Sequence, residues 1–189
     1  MNKLSIGLVV LGIVAGVIIA PVIYLRVHPL TMESMSSEID EHFIEQMIPH
    51  HEDAITMADL ASTRAEHAEI KKLAINIKKT QSEEIAQMKS WYKEWYGKEV
   101  PSLSGGDAMM HGGMMSGGRA DLEDLKTSKP FDKEFIQEMI PHHLMAVMMA
   151  QMLVVSTSRP EMRTLAENII SAQNKEIGEM KEWYALWYK

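Results

Sequence analysis

Two stretches of this chain carry residues able to do chemistry, and they carry the same ones. "EQMIPHHEDAITM" runs from Glu45 to Met57 and "QEMIPHHLMAVMM" from Gln137 to Met149. In the first, Met47 stands three residues before His50 and four before His51, and Met57 follows His50 by seven. On a helix these residues, with Ala54, share one face. The second stretch repeats the set as Met139, His142, His143, Ala146 and Met149, and adds Met145, Met148 and Met152. Met145, Met149 and Met152 continue the face at spacings of four and three, and Met148 lies beside it. Imidazole and thioether form a soft-to-intermediate ligand set, which suits Cu(I) and Ag(I) better than Mg, Ca or Mn. Imidazole alone also suits Zn, Ni and Cu(II), so the methionines carry the discrimination. Packing is the other reading: methionine as core filler and histidine held by hydrogen bonds.

A third cluster is "MMHGGMM", with Met109, Met110, His111, Met114 and Met115. It lies in a glycine-rich segment, where methionine has no core to fill. Soft-metal capture on a flexible tether is the chemistry this composition supports. His28, His42 and His67 lie outside these clusters and read as surface residues; copy two replaces His67 by Arg159.

The elements that position the motifs come from a duplication. Aligning Phe43 with Phe135, an offset of 92, gives 24 identities over 55 ungapped positions, ending at Gly97 against Lys189. They include "MIPHH", the "LA-NI" of Leu73 to Ile77 and of Leu165 to Ile169, and the "WY--WY" of Trp91 to Tyr96 and of Trp183 to Tyr188. Each copy reads as two helices. The first begins near Ser37 in copy one and near Phe131 in copy two. The second begins after a polar break: Thr63 and Glu66 keep capping-box spacing in copy one, and Ser158, Pro160 and Glu161 read as cap, first-turn proline and box glutamate in copy two. Ile70, Leu73, Ile77, Ile85 and Met88 keep helical spacing on one face, while Met88 and Met180 read as core. A proline inside a helix removes a donor and clashes four residues back, so Pro49 and Pro141 should bend their helices. The paired aromatics read as a plug at one end of the bundle.

A lone hairpin cannot bury its apolar stripe, so two should combine into an all-α four-helix bundle. The expected organisation is an N-terminal anchor over 1–28, a hairpin repeat over 37–97, a flexible Gly/Met/His-rich linker over 98–130 and a second hairpin over 131–189. The anchor rests on Leu4 to Leu25, an uncharged run of 22 residues between Lys3 and Arg26. That length spans a bilayer, and Ala20 before Pro21, with Ile18 two positions earlier, makes a poor cleavage site. Lys3 before the span places the main domain outside the cytoplasm. Gly12 and Gly16 would let two anchors pack as a homodimer, though small residues in an apolar helix need no such role.

The chain has 17 Met, 3 Phe and no Cys, which removes disulfides, thiol nucleophiles and zinc fingers. Without Lys3 and Arg26 it keeps 17 basic against 26 acidic residues. This acidity argues against nucleic acid and suits attraction of cations. No nucleophile elbow or phosphate loop occurs.

The pattern "F-I-x-x-M-I-P-H-H" followed by Met resembles the family known as domain of unknown function 305, which includes CopM-type copper-binding proteins. The resemblance covers Ser37 to Lys189, with the motif present twice. It implies a ferritin-like four-helix fold and an extracytoplasmic role in copper binding or resistance. By position it implies ligands at Met47, His50, His51 and Met57, and at Met139, His142, His143 and Met149. The "MMHGGMM" loop has no match in that pattern, so its role rests on residue chemistry alone.

Three functions are therefore open. The first is a membrane-anchored, non-enzymatic Cu(I)/Ag(I)-binding protein that sequesters copper or passes it to a partner. The second is a metal-free structural or interaction module. The third is a ferritin-like di-metal redox enzyme, which the absence of Glu-x-x-His disfavours.

Overall fold

The computed structural model describes residues 32–101 and 118–189. The apolar run of 4–25, His28 and the "MMHGGMM" methionines lie outside those residues. Five helices are described: α1 (Met32–Arg64), α2 (Ala68–Tyr96), α3 (Gly118–Thr127), α4 (Phe131–Ser156) and α5 (Pro160–Trp187). The chain is an all-α helical bundle in which α1 packs on α2, α4 on α5, and α1 on α4.

The helices form where the apolar spacing demands. Ile70, Leu73, Ile77, Ile85 and Met88 of α2 are all buried, as are Met162, Leu165, Ala166, Ile169, Ile177 and Met180 of α5. α2 stops at Gly97, whose φ of 66° is the left-handed cap that glycine adopts without a Cβ penalty. α1 and α4 run unbroken through Pro49 and Pro141. Both prolines lie away from the buried face, Pro141 exposed and Pro49 half-buried. There, water can satisfy the carbonyl that a proline frees.

α1 and α4 are antiparallel. Ser36 bonds Ser158 at one end, the rings of His50 and His142 meet in the middle, and Asp132 bonds Glu66 and His67 at the other end. The 92-residue offset is thus a pseudo-two-fold relation in space.

Three expectations are corrected here. The linker is not structureless throughout, because 118–127 is helical. Leu125 is fully buried there, and Arg64 donates to the carbonyls of Leu125 (2.6 Å) and Ser128 (3.0 Å). The caps differ as well. His67 and Arg159 are the N-cap residues of α2 and α5, not Thr63 and Ser158. Thr63 lies within α1 and donates to the carbonyl of Leu60, while the backbone N–H of Ser158 is taken by Ser36. Pro160 does open α5. Lastly, the aromatic plugs occupy opposite ends. Trp91, Trp95 and Tyr96 pack on one half of the core, and Trp183, Tyr184, Trp187 and Tyr188 on the other. Antiparallel pairing of the hairpins requires this.

Each end is clamped alike. Asp132, 1% exposed, accepts from the backbone N–H of Glu66 (3.0 Å) and His67 (2.8 Å) and bonds His67 Nδ1 at 2.7 Å. His67 in turn stacks on Trp187, with centroids 3.7 Å apart. At the other end Asp40 pairs with Arg159 at 2.8 Å, and Arg159 lies over Trp95. His67 is therefore part of the end clamp rather than a free surface residue; its side chain is 34% exposed. Copy two keeps a nitrogen donor to the aspartate at this place while changing the residue that supplies it.

Asp132→Ala leaves the backbone N–H groups of Glu66 and His67, at the turn into α2, without their acceptor and should cost about 1–3 kcal/mol. Asp40→Ala removes a side-chain pair with half-exposed Arg159 and should cost less. Denaturant unfolding of the metal-free chain checks the order. Equal losses would overturn the capping role given to Asp132.

Candidate metal centre

A polar layer divides the core. On α1 the buried residues from Phe43 to Ile48 belong to one apolar cluster and those from Ala54 to Ala61 to another. His50 and His51 stand at the change. The same switch falls at Gln81 on α2, at His143 on α4 and at Gln173 on α5. All five are buried, with His51 and His143 fully so. His142 completes the layer, half-buried, its ring 3.7 Å from that of His50.

Each of these six side chains keeps one buried polar atom without a partner. For the four histidines it is Nδ1, and for Gln81 and Gln173 it is Oε1. The other nitrogens are engaged. His51 Nε2 lies 2.7 Å from Glu84 Oε2, and His143 Nε2 lies 2.7 Å from Glu176 Oε2. His50 and His142 each hydrogen-bond the backbone of the other. Because their Nδ1 atoms are unpartnered, Nε2 is the nitrogen that donates.

The electrostatics favour neutral rings at the crossing. Burial first, then repulsion from His51 and His143, pushes His50 down to about 3. Burial and the three neighbouring imidazoles hold His142 well below its ordinary value. Neutral imidazole with a bare nitrogen is the form that binds a metal.

Of the residues singled out from sequence, Met47, His50, His51 and Met57 are buried, and so are Met139 and His143. The methionines do not gather within their own copy. Met47 packs in the cluster that Met149 joins from α4, and Met57 in the cluster that holds Met139. The contacts thus cross between copies. Met145 is half-buried, whereas Met148 (44%) and Met152 (64%) are exposed and do not join the layer. The stripe expected through Met152 turns outward because α4 presents its other side to α1 and α5. Among the described residues no three His, Asp or Glu side chains converge into one metal-binding group. A cation here would need thioether or amide donors beside imidazole.

Sequence reasoning missed Glu84 and Glu176, and with them Gln81 and Gln173. Their signal was present. "Q--EI" occurs as Gln81, Glu84, Ile85 and again as Gln173, Glu176, Ile177, inside an apolar stripe where a glutamine has no packing reason to recur. Glu84 also lines a groove of about 540 Å³ between α2 and α5, and so links buried His51 to solvent.

The unfolded chain binds protons at His50 near pH 6.5, whereas the folded chain does so only near pH 3. Stability should therefore fall as pH drops from about 6.5 toward 3. His50 alone removes about 2 kcal/mol between pH 7 and pH 5, with His142 acting in the same direction. Unfolding of the metal-free chain at those two pH values tests this; equal stability would show that the rings are already charged or solvated.

The model of the domain of unknown function DUF305 matches residues 40–184. Among solved structures, CopM in its Cu(I)-bound form is 49% identical, covering 79% of this chain and 98% of that one with a TM-score of 0.70. CopM in an Ag-bound form is 48% identical, over 79% and 97%, with a TM-score of 0.69. A putative secreted DUF305 protein from Streptomyces coelicolor is 27% identical, over 78% and 92%, with a TM-score of 0.68. An uncharacterized protein of Acanthamoeba polyphaga mimivirus is 45% identical over 49 residues, and the match spans about a third of that protein (32%) and 26% of this chain. With a family match over most of its length and a near-complete structural counterpart, the chain belongs to the DUF305 family.

Proposed function

We propose that this protein binds soft monovalent cations, Cu(I) and Ag(I), through the histidine layer and its flanking methionines. It sequesters copper outside the cytoplasmic membrane or hands it to a partner protein, held to the bilayer by the apolar run of 4–25. The observation that carries this reading is the set of four buried Nδ1 atoms without partners. Unpaired buried polar atoms are costly, and native cores rarely keep several together unless a ligand takes them. Met47 and Met139 stand one turn before His51 and His143, so the donors on offer are imidazole and thioether. The solved CopM structures in Cu(I), Ag and Cu(II) forms support copper as the cargo. Met57 and Met149 would supply further thioethers. Met109, Met110, His111, Met114 and Met115 would capture the ion and deliver it to the bundle.

A second reading is favoured by one observation. Leu144, Met148, Met152 and Val155 leave an exposed apolar face on α4, where copy one has Glu52, Thr56, Leu60 and Thr63. Such a face suits an interaction module in which the methionines are packing alone.

Titration with Cu(I) against a chromophoric Cu(I) chelator separates the two, with Ag(I) and Zn(II) in parallel and thermal unfolding at each step. The soft-metal reading expects tight Cu(I) and Ag(I) binding, a raised melting temperature and a weak response to Zn(II). Replacing His50, His51, His142 and His143 by Ala should weaken Cu(I) binding at least a hundredfold. If the parent fails to compete with the chelator, the interaction module stands instead.

A further inference from the structure

We propose that Glu84 and Glu176 are the positioning residues of the two histidine sites, and that His51 and His143 take a monovalent soft cation through Nδ1. The proposal rests on the soft-metal reading and deepens it by assigning the ligand atom and the basis of valence.

The geometry leaves little freedom. His51 is fully buried, with Nε2 2.7 Å from a carboxylate oxygen. A carboxylate only accepts, so Nε2 must carry the hydrogen. A second proton on Nδ1 would leave a buried donor with no acceptor, which is costly. Nδ1 is therefore bare, and its lone pair lies in the core one turn from Met47. The same holds at His143, with Glu176 at 2.7 Å and Met139 one turn away. A carboxylate that fixes tautomer and ring orientation while raising ligand basicity is a recurrent companion of metal-bound histidine.

The carboxylate also sets the charge. Neutral imidazole and thioether add none, so a bound cation keeps its own. One glutamate stands at each fully buried imidazole. Cu(I) or Ag(I) with that glutamate makes a neutral unit, whereas a divalent ion leaves an uncompensated charge in a low-dielectric core. Softness and valence thus select the same ions.

The test begins with the metal-free 189-residue chain, 15N-labelled in detergent micelles. Long-range proton–nitrogen correlation should show His51 and His143 as the Nε2–H tautomer. Addition of Ag(I) should move their Nδ1 resonances and leave Nε2 protonated. The Nδ1–H tautomer, or a silver-induced shift at Nε2, would overturn the proposal. E84Q/E176Q keeps an oxygen acceptor for Nε2 but removes the charge. It should retain the tautomer and lose about tenfold to a hundredfold in Cu(I) affinity. Affinity within twofold of the parent would refute the charge role. Should that variant fail to fold, the tautomer and silver experiments on the parent still decide. A parent that binds Cu(I) with no response at the histidine nitrogens sinks this proposal alone, while a parent that binds no Cu(I) sinks the soft-metal reading with it.

Discussion

The constraint on which the rest depends is the placement of bare imidazole nitrogens inside an apolar core. A buried polar atom without a partner opposes folding, and this bundle keeps six of them in one layer. Everything around the layer limits that cost without removing it. The Glu84 and Glu176 carboxylates satisfy the far nitrogens of His51 and His143, and reciprocal backbone bonds do so for His50 and His142. Each ring thereby presents one free acceptor while its donor is fixed. The apolar clusters above and below supply the burial that offsets the layer.

Duplication explains how one sequence motif builds a continuous layer across the core. Antiparallel pairing of α1 with α4 brings "MIPHH" against itself, so His50 meets His142, and Met47 and Met139 each sit in a cluster with residues of the opposite copy. The histidine layer and its supports have stayed alike between the two copies while the outside has diverged. Gln81, Glu84 and Ile85 recur as Gln173, Glu176 and Ile177. On the outer face of α1 and α4, Glu52, Thr56 and Thr63 face Leu144, Met148 and Val155 as counterparts. A face packed against its own repeat must change in concert, whereas an outer face changes freely.

Much of this was legible in the residues. The 92-residue offset, the two hairpins and the apolar stripes of α2 and α5 follow from spacing, because helical period and burial are tied directly. Inward placement of His51 and His143 follows from the same period. What escaped was whatever depends on the partner helix. Thr63 and Ser158 sit at cap-like spacing, but Asp132 and Ser36 from across the bundle take the donors at those breaks. His67 looked like a surface residue because copy two has arginine there, yet both bridge an aspartate and a tryptophan. Glu84 was overlooked because a glutamate on a long helix usually faces water. Only the fold brings it to His51, 33 residues away in the chain. Met152 was placed on the stripe by its spacing and Met148 beside it, but an α4 that packs on both α1 and α5 turns them outward.

The clamps at the two ends bear on why a costly middle is tolerated. Each ties the N-terminus of one hairpin's second helix to the first helix of the other hairpin, through Asp132 with His67 and through Asp40 with Arg159. The aromatic pairs close over both. With its ends pinned in this way, the bundle holds the histidine layer in register without filling its open valences. A cation that binds only the folded chain adds stability in proportion to the logarithm of its concentration over its dissociation constant. The metal-free chain therefore stands on its ends, and a cation taken up by the layer would strengthen the middle. That division lets the middle stand open without the fold dissolving.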